Sequence, residues 1–205
     1  MKISIAIKKI SLSFFLFVLL VSWKNSAEKQ SNTKNDEVNI VARKDTVKKW
    51  NSNASTAQIK FSISGLFGTV HGNLSGLKST ILFDENNLAA SSISASVDSK
   101  SISTGIGKRD RDLQKEKYLN SENYPLLSFR SDKIQKSETG YKAIGSLTIK
   151  GVTKRIEIPF IFSEKGNAGV FKGGFTIKRQ DYGIGNSGGS IGSTVTIDLE
   201  VPVTK

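Results

Sequence analysis

Short segments in which apolar and polar residues alternate recur along the chain from about residue 50 to the C-terminus. Residues 59–63 and 92–98 each place an apolar side chain at every second position. This period of two puts the apolar side chains on one face of a β-strand. The pattern predicts about eight half-buried strands in all. The remaining segments that carry it are 81–83, 127–129, 145–149, 156–162, 171–177 and 195–203.

The connections between these segments indicate how the strands are joined. Turn-forming residues occupy 84–87, 150–151 and 165–167, and the glycine-rich run 183–192 precedes the last strand. Because no long helical period separates the strands, an antiparallel sheet is favoured over parallel βαβ units. An all-β sheet with one apolar face either closes into a barrel or pairs as a sandwich, since open edges invite aggregation.

One charged segment, residues 101–125, interrupts the alternation. Only 107–119 within it has a helical pattern, and we interpret the segment as a lid over one end of the sheet. A barrel of about eight strands has an interior that side chains fill or that holds one small ligand. Both interiors require the same alternation, so the pattern leaves a packed core and a ligand cavity equally open.

The N-terminal part differs in composition from the rest. Lys2, Lys8 and Lys9 precede an apolar stretch at 10–23, which predicts an export signal over residues 1–27. No A-x-A cleavage motif follows, so a signal anchor is the alternative to a cleaved, periplasmic or secreted protein. Residues 28–49 are polar and predict a tether, and one folded domain is expected over 50–205.

The charge of the chain limits its partners. The formal net charge is +12, but the Lys residues are scattered and no block of five or six like charges occurs. We expect no nucleic-acid binding. Weak attraction to anionic head groups allows transient contact with a membrane.

The sequence does not place His, Cys or paired carboxylates at a spacing that catalysis or metal binding needs. The chain has no Cys and a single His, His71, and no carboxylate pair has a catalytic spacing. The sequence therefore predicts no catalytic residue, no metal site and no disulfide. The glycine-rich run does not sit between a strand and a helix, so we interpret it as a hairpin loop rather than a phosphate site.

Motifs along the domain resemble one known family. They comprise Trp50 and Ser55, the stretch 67–105, Arg109 with Asp110, GSLTIKGVTK at 145–154 and KRQDYGI at 178–184. On these motifs residues 50–205 resemble the YceI-like family of exported lipid-binding proteins. The first hairpin, SGLFGTVHG, is shorter than in many members.

The resemblance implies a fold and a function. It implies an antiparallel lipocalin-like barrel with one short helical lid and an elongated apolar cavity for an isoprenoid or other lipid tail. A polyprenyl lipid or quinone would be a bound ligand, and neither a cofactor nor a catalytic step is implied. The alternative is a structural or protein-interaction barrel with a filled core and no lipid. A homodimer is compatible with either.

The inward phase of the strands supplies the candidate lipid-binding residues. They are Phe61, Ile63, Phe83, Val97, Phe129, Leu147, Ile149, Phe160, Phe162, Phe175, Ile177, Ile197 and Leu199.

Two arginines are candidates for contact with a lipid head group. Arg109 begins the candidate helix, and a guanidinium matches phosphate oxygens. Arg179 and Asp181 continue the phase of Phe175, so a regular strand would place them inward as an ion pair closing one end.

Overall fold

The computed structural model describes residues 47–186 and 189–205. Residues Val47–Lys205 form a compact unit. The predicted export signal and all but the last residues of the predicted tether lie outside the described residues. Both remain predictions.

Ten strands, one α-helix and two short 3₁₀ helices make up the described chain. The strands are β1 (Lys49–Ser52), β2 (Gln58–Gly65), β3 (Gly68–Leu74), β4 (Lys78–Leu82), β5 (Ser92–Asp98), β6 (Leu126–Ser137), β7 (Gly140–Ile149), β8 (Val152–Lys165), β9 (Ala168–Lys178) and β10 (Ile191–Thr204). The helix α1 covers Gly107–Leu113, and the 3₁₀ helices are Ser99–Ser101 and Arg179–Tyr182.

The sheet closes on itself. Strands β4 to β10 pair in sequence order, all antiparallel, and β1 pairs with both β4 and β10. The β2–β3 hairpin continues the wall, because β2 pairs with β10 beyond the point where β1 leaves it. The predicted antiparallel barrel is therefore confirmed, as a closed barrel of eight strands with one helix.

The connections divide between the two ends of the barrel. The β2–β3 turn, residues 99–125, the β7–β8 turn and residues 179–190 share one end, which we call the lid end. The β4–β5, β6–β7 and β8–β9 connections lie at the opposite end. An isolated bridge from Asn73 to Ser103 ties the β2–β3 hairpin to the lid-end segment.

Aromatic side chains fill the end opposite the lid. Phe83 makes edge contacts with Tyr141, Phe162 and Phe171 at ring-centroid distances of 5.1, 5.1 and 5.4 Å. Trp50 is almost wholly buried, and its indole N–H donates to the Phe83 carbonyl oxygen over 3.0 Å. A buried indole needs such a partner. We call this group the aromatic plug.

Two expectations for the lid end need revision or refinement. The helix α1 lies within the segment 107–119 but ends at Leu113. The strand does not stay regular through Arg179 and Asp181, the condition for placing both inward, because β9 ends at Lys178 and residues 179–182 form a 3₁₀ helix. Gly183, in the left-handed region with φ 64°, ends that helix.

Candidate functional site

An apolar cavity of about 200 Å³ lies inside the barrel. Its lining comes from strands β2 to β10, and no charged side chain is among the described residues that line it. The alternation creates this surface, because neighbouring strands place their inward residues side by side. Ile197 of β10 lies opposite Phe61 of β2 on one side and Phe175 of β9 on the other.

Most of the predicted lipid-binding residues line this cavity. They are Phe61, Val97, Phe129, Leu147, Phe160, Phe175, Ile197 and Leu199. Their contact with a lipid stays a prediction.

The other candidates lie elsewhere in the barrel. Phe83 and Phe162 belong to the aromatic plug. Ile149 is buried in the core, and Ile177 is partly buried against it. Ile63 is half-buried two residues before the end of β2. These residues share the inward phase of the strands but lie beyond the cavity.

The cavity lining also contains residues that are not among the predicted lipid-binding residues. They include Ile59, Leu74, Leu77, Ile81, Ile93, Ala95, Leu127, Ala143, Ile158, Phe171, Gly173 and Val201. Several follow the same alternation, so their phase was visible in the sequence. Leu74 and Leu77 were not predictable in that way, because they flank a break between β3 and β4 at Gly76, where φ is +76°.

Gly173 has a specific reason to lack a side chain. A Cβ at this position would lie 2.6 Å from the Pro159 carbonyl oxygen and 3.1 Å from the Phe160 Cβ. The absence of a side chain therefore lets β8 and β9 approach each other where they line the cavity.

Residues from two segments of the lid end pack against the core of the barrel. Leu119 is buried in the core cluster, and Ile102 and Ile184 pack against that cluster. The Gly185 N–H donates to the Lys117 carbonyl oxygen over 2.9 Å, which joins the loop after β9 to the segment after α1. The lid is thus held by both apolar packing and backbone hydrogen bonds.

Arg179 fixes the loop between β9 and β10. Its side chain is 7% exposed, and it donates to three carbonyl oxygens, those of Ile184 (2.8 Å), Ile191 (3.1 Å) and Gly192 (2.7 Å). Asp181 is exposed, and the predicted ion pair between the two is not formed in the described part of the chain. The side chain thus joins backbone segments rather than a carboxylate.

Arg109 takes part in a local network at the start of α1. Its Nε donates to Thr104 Oγ1 over 2.8 Å, and its Nη2 donates to the Thr104 carbonyl oxygen over 3.0 Å. The Thr104 N–H in turn donates to Asp110 Oδ1 over 2.8 Å. These contacts give Arg109 a structural role, and its predicted role at a head group stays a prediction.

Two tyrosines have perturbed pKa values. Burial and a hydrogen bond from its hydroxyl to Glu85 raise the pKa of Tyr141 to about 12. Burial, with the nearby Asp181 carboxylate, raises the pKa of Tyr182. Both changes favour the neutral phenol, so neither tyrosine is poised to act as a base near neutral pH.

Other kinds of site find no support in the described residues. Within 47–186 and 189–205, no group of three or more His, Cys, Asp and Glu side chains could hold a metal ion. Across the same residues, no helix has the length and apolar character needed to span a bilayer.

Comparison with known proteins identifies the family. The family model described as a YceI-like domain matches residues 50–203. The chain belongs to the YceI-like family. A UPF0312 protein of Yersinia enterocolitica is 30% identical over 152 residues, a match that covers 71% of this chain and 79% of the relative. The resemblance seen in the motifs is thereby confirmed.

Solved structures of the same fold include a protein called BcnA from Burkholderia cenocepacia, with a TM-score of 0.72 at 19% identity. That match covers 75% of this chain and 100% of the other. A polyisoprenoid binding domain from Saccharophagus degradans matches with a TM-score of 0.59 at 14% identity, over 78% of this chain and 99% of that one. At such identities the likeness establishes the fold.

Proposed function

We propose that this protein is an exported, non-enzymatic binding protein that encloses the isoprenoid or similar tail of a long-chain lipid. The observation that carries the proposal is the cavity inside the closed barrel, whose lining among the described residues is apolar apart from Ser79, Ser96 and Ser128. An apolar lining binds by removing hydrocarbon from water, which requires no charged partner. The tail could thus be held whatever the chemistry of the head group.

The size of the cavity supports an occupant rather than a simple packing gap. Cores contain few voids larger than a water molecule. An apolar cavity of about 150 Å³ stays dry and binds benzene, and this one measures about 200 Å³. We therefore expect the observed space to receive an apolar segment of the ligand, with the walls adjusting to a longer tail.

The energy of burial is sufficient for retention. Each five-carbon isoprene unit gains up to about 4 kcal/mol, at roughly 0.8 kcal/mol per buried carbon, before the ordering of ligand and side chains is subtracted. Two or three buried units would offset the cost of association. A polyprenyl lipid or a quinone tail is the class of ligand that this surface fits.

Two further observations favour this function. A solved structure of the same fold is named as a polyisoprenoid binding domain. The sequence of residues 1–27, with Lys residues before an apolar stretch, has the pattern of an export signal and supports a periplasmic or secreted location. We propose transient contact with a membrane as the route by which the lipid enters and leaves, and we propose neither a catalytic step nor a cofactor.

A pair of substitutions on β5 tests the proposal. Ala95 lines the cavity, whereas Ser94 is exposed on the outer face. Because a cavity of about 150 Å³ holds one benzene molecule, the ring introduced by Ala95→Phe should take most of the space, and Ser94→Phe adds the same ring outside it. With farnesol as the probe, we expect Ala95→Phe to weaken binding at least about tenfold and Ser94→Phe to leave it unchanged.

Folding and binding are separated by measuring urea denaturation of both variants beside the binding titration. If farnesol binds both folded variants and the original protein equally, the cavity is not the binding site. If the original protein binds no farnesol or longer polyprenyl lipid, the filled structural or interaction barrel becomes the better account.

A further inference from the structure

The turn between β2 and β3 carries two apolar residues that are exposed to solvent. Phe67 is 99% exposed and Leu66 is 70% exposed. Short hairpin turns usually carry Asn, Asp or Gly, which suit the turn geometry and are hydrated. Leu and Phe at this position gain nothing from the fold of the described chain.

These side chains form part of a small apolar patch. The Leu66 N–H donates to the Ser190 carbonyl oxygen over 2.7 Å. A Cβ placed on Gly65 would lie 3.6 Å from Ile191 Cδ1, and Ile191 is itself 43% exposed. We call Leu66, Phe67 and Ile191 the apolar tip. A cluster at the end of a hairpin differs from the singly scattered surface hydrophobics that need no explanation.

The charge distribution around the apolar tip suits an anionic surface. Neither the hairpin segment 61–77 nor the loop segment 182–197 contains an Asp, Glu, Lys or Arg. The segment 99–125 at the same end of the barrel exposes Lys100, Lys108, Arg111, Lys115 and Lys117 against the exposed carboxylates of Glu116 and Glu122 and the partly exposed carboxylate of Asp112, which forms an ion pair with Lys115. Anionic head groups would thus meet an uncharged protrusion with a predominantly basic segment at the same end.

The size of the tip favours a lipid surface over a protein partner. A stable protein interface buries roughly 800 Å² on each partner with matched shapes. Three apolar side chains fall short of that area. Insertion of a few apolar side chains below lipid head groups needs neither a large area nor a shape match.

We propose that the apolar tip docks this barrel onto an anionic membrane surface, with Phe67 and Leu66 inserted among the lipids. Docking places the lid end, with the helix α1 and the loop after β9, next to the bilayer. This inference rests on the proposed function for its cargo, because it gives the lipid a short path between the bilayer and the cavity.

Vesicle binding tests the proposal directly. The barrel closes within residues 49–204, and Val47–Lys205 is a compact unit. That unit can therefore be prepared without residues 1–46, whose apolar stretch would bind vesicles by itself. The assay is flotation with vesicles of phosphatidylcholine alone and of phosphatidylcholine with phosphatidylglycerol.

The test variant is Leu66→Ser with Phe67→Ser, and the matched control is Ile161→Ser. Ile161 is 47% exposed on β8, towards the end opposite the lid, so its substitution removes a similar exposed side chain away from the tip. Since full burial of one Phe side chain corresponds to a tenfold or larger change in partition, we expect the double variant to bind anionic vesicles at least about tenfold more weakly. The control should match the original protein.

A second readout locates the tip in the bilayer. Because the chain has no Cys, Leu66→Cys gives a single labelling site for a polarity-sensitive fluorophore, and Glu138→Cys in the β6–β7 turn gives the control site at the other end. We expect a blue shift on vesicle addition for the label at 66 and none for the label at 138. Equal vesicle binding by the double variant, or no shift at 66, would overturn the proposal.

Two measurements on the same variants separate membrane docking from a protein interface and from loss of the lipid ligand. If the double variant abolishes self-association or binding to a protein, with vesicle binding unchanged, the tip is a protein interface and the proposal is wrong. The lipid content of the double variant after purification is measured separately. A double variant that retains its lipid but no longer binds vesicles supports docking. Vesicle binding that depends on the tip in a barrel that never holds a lipid would support docking and reject the proposed function.

Discussion

Replacing Arg179 by Ala removes the group that holds the loop after β9 in place. The guanidinium donates to the carbonyl oxygens of Ile184, Ile191 and Gly192 from a position that is 7% exposed. Hydrogen bonds from a charged donor contribute about 1.5–3 kcal/mol each. Because Ile191 is itself partly exposed, water replaces part of the hydrogen bonding that the guanidinium provided. We therefore expect the free energy of unfolding to fall by about 3–5 kcal/mol.

Urea denaturation measures this loss. With an m-value of about 2 kcal/mol/M, the expected change lowers the midpoint by about 2 M. Arg179→Lys keeps the charge but not the planar fork that reaches separate carbonyls, so it should recover only part of the stability. The control is Lys178→Ala, since Lys178 is the exposed neighbour at the end of β9 and should change stability by less than about 0.5 kcal/mol.

A specific result would refute this reasoning. If Arg179→Ala costs less than about 1 kcal/mol at an unchanged m-value, the three hydrogen bonds are replaced by water without loss. If that variant stays folded and keeps its stability but binds lipid with a phosphate head group more weakly, Arg179 acts on the ligand instead.

Two other substitutions probe the barrel wall and its pH dependence. Gly145→Ala should lower the free energy of unfolding by more than about 2 kcal/mol, because a Cβ there would lie 2.1 Å from the Arg130 carbonyl oxygen. The control is Gly107→Ala at the start of α1, where a Cβ meets nothing closer than 3.5 Å, and this variant should be neutral. Thermal denaturation compares the two variants, and equal stability would contradict the close approach at Gly145. Burial and the hydrogen bond to Glu85 raise the pKa of Tyr141 to about 12 in the folded chain. The neutral phenol therefore contributes fully to the free energy of unfolding below the ordinary tyrosine pKa of about 10, and this contribution is lost as the pH rises towards 12. Absorbance titrations of the original protein and of Tyr141→Phe test this, because the substitution should remove a phenol whose pKa is well above the ordinary value. Removal of a phenol that titrates near the ordinary value would contradict it.

The strands were predictable because the alternation of apolar and polar residues shows directly which face of each strand is buried. Phe61, Phe175 and Ile197 have the same inward phase in the sequence, and they lie next to one another in the cavity. Antiparallel pairing followed from the turn residues and from the absence of helical segments between strands. Local pattern was enough for these features, since each depends on near neighbours along the chain.

Position along the barrel axis was not predictable in the same way. Phe83 and Phe162 are inward like Phe61, but they meet Trp50 in the aromatic plug, while Ile63 lies near the end of β2. The depth of a residue along the barrel axis depends on the register and tilt of all strands together, so it cannot be predicted from the sequence of one strand. The inward phase therefore groups residues of the cavity with residues of the plug and the lid.

The loop after β9 was misjudged for a different reason. The phase of Phe175 and Ile177 extends to Arg179 and Asp181, and a strand that stayed regular would have placed both inward. The chain instead turns into a 3₁₀ helix at Arg179, whose side chain is satisfied by carbonyls of its own loop. Such hydrogen bonds depend on the folded shape of the loop, which the alternation along a single strand does not show.

The measurement that tests the central claim most directly is mass spectrometry of the protein purified from cells without added lipid. A native spectrum of the folded protein would be compared with the spectrum of an organic extract of the same sample. The account predicts a complex of one lipid per barrel whose extracted species has an isoprenoid or similar hydrocarbon tail, and loss of that species in Ala95→Phe but not in Ser94→Phe. A protein that carries no lipid, and that takes up none after incubation with polyprenyl lipids, would contradict the claim that the cavity is a binding site.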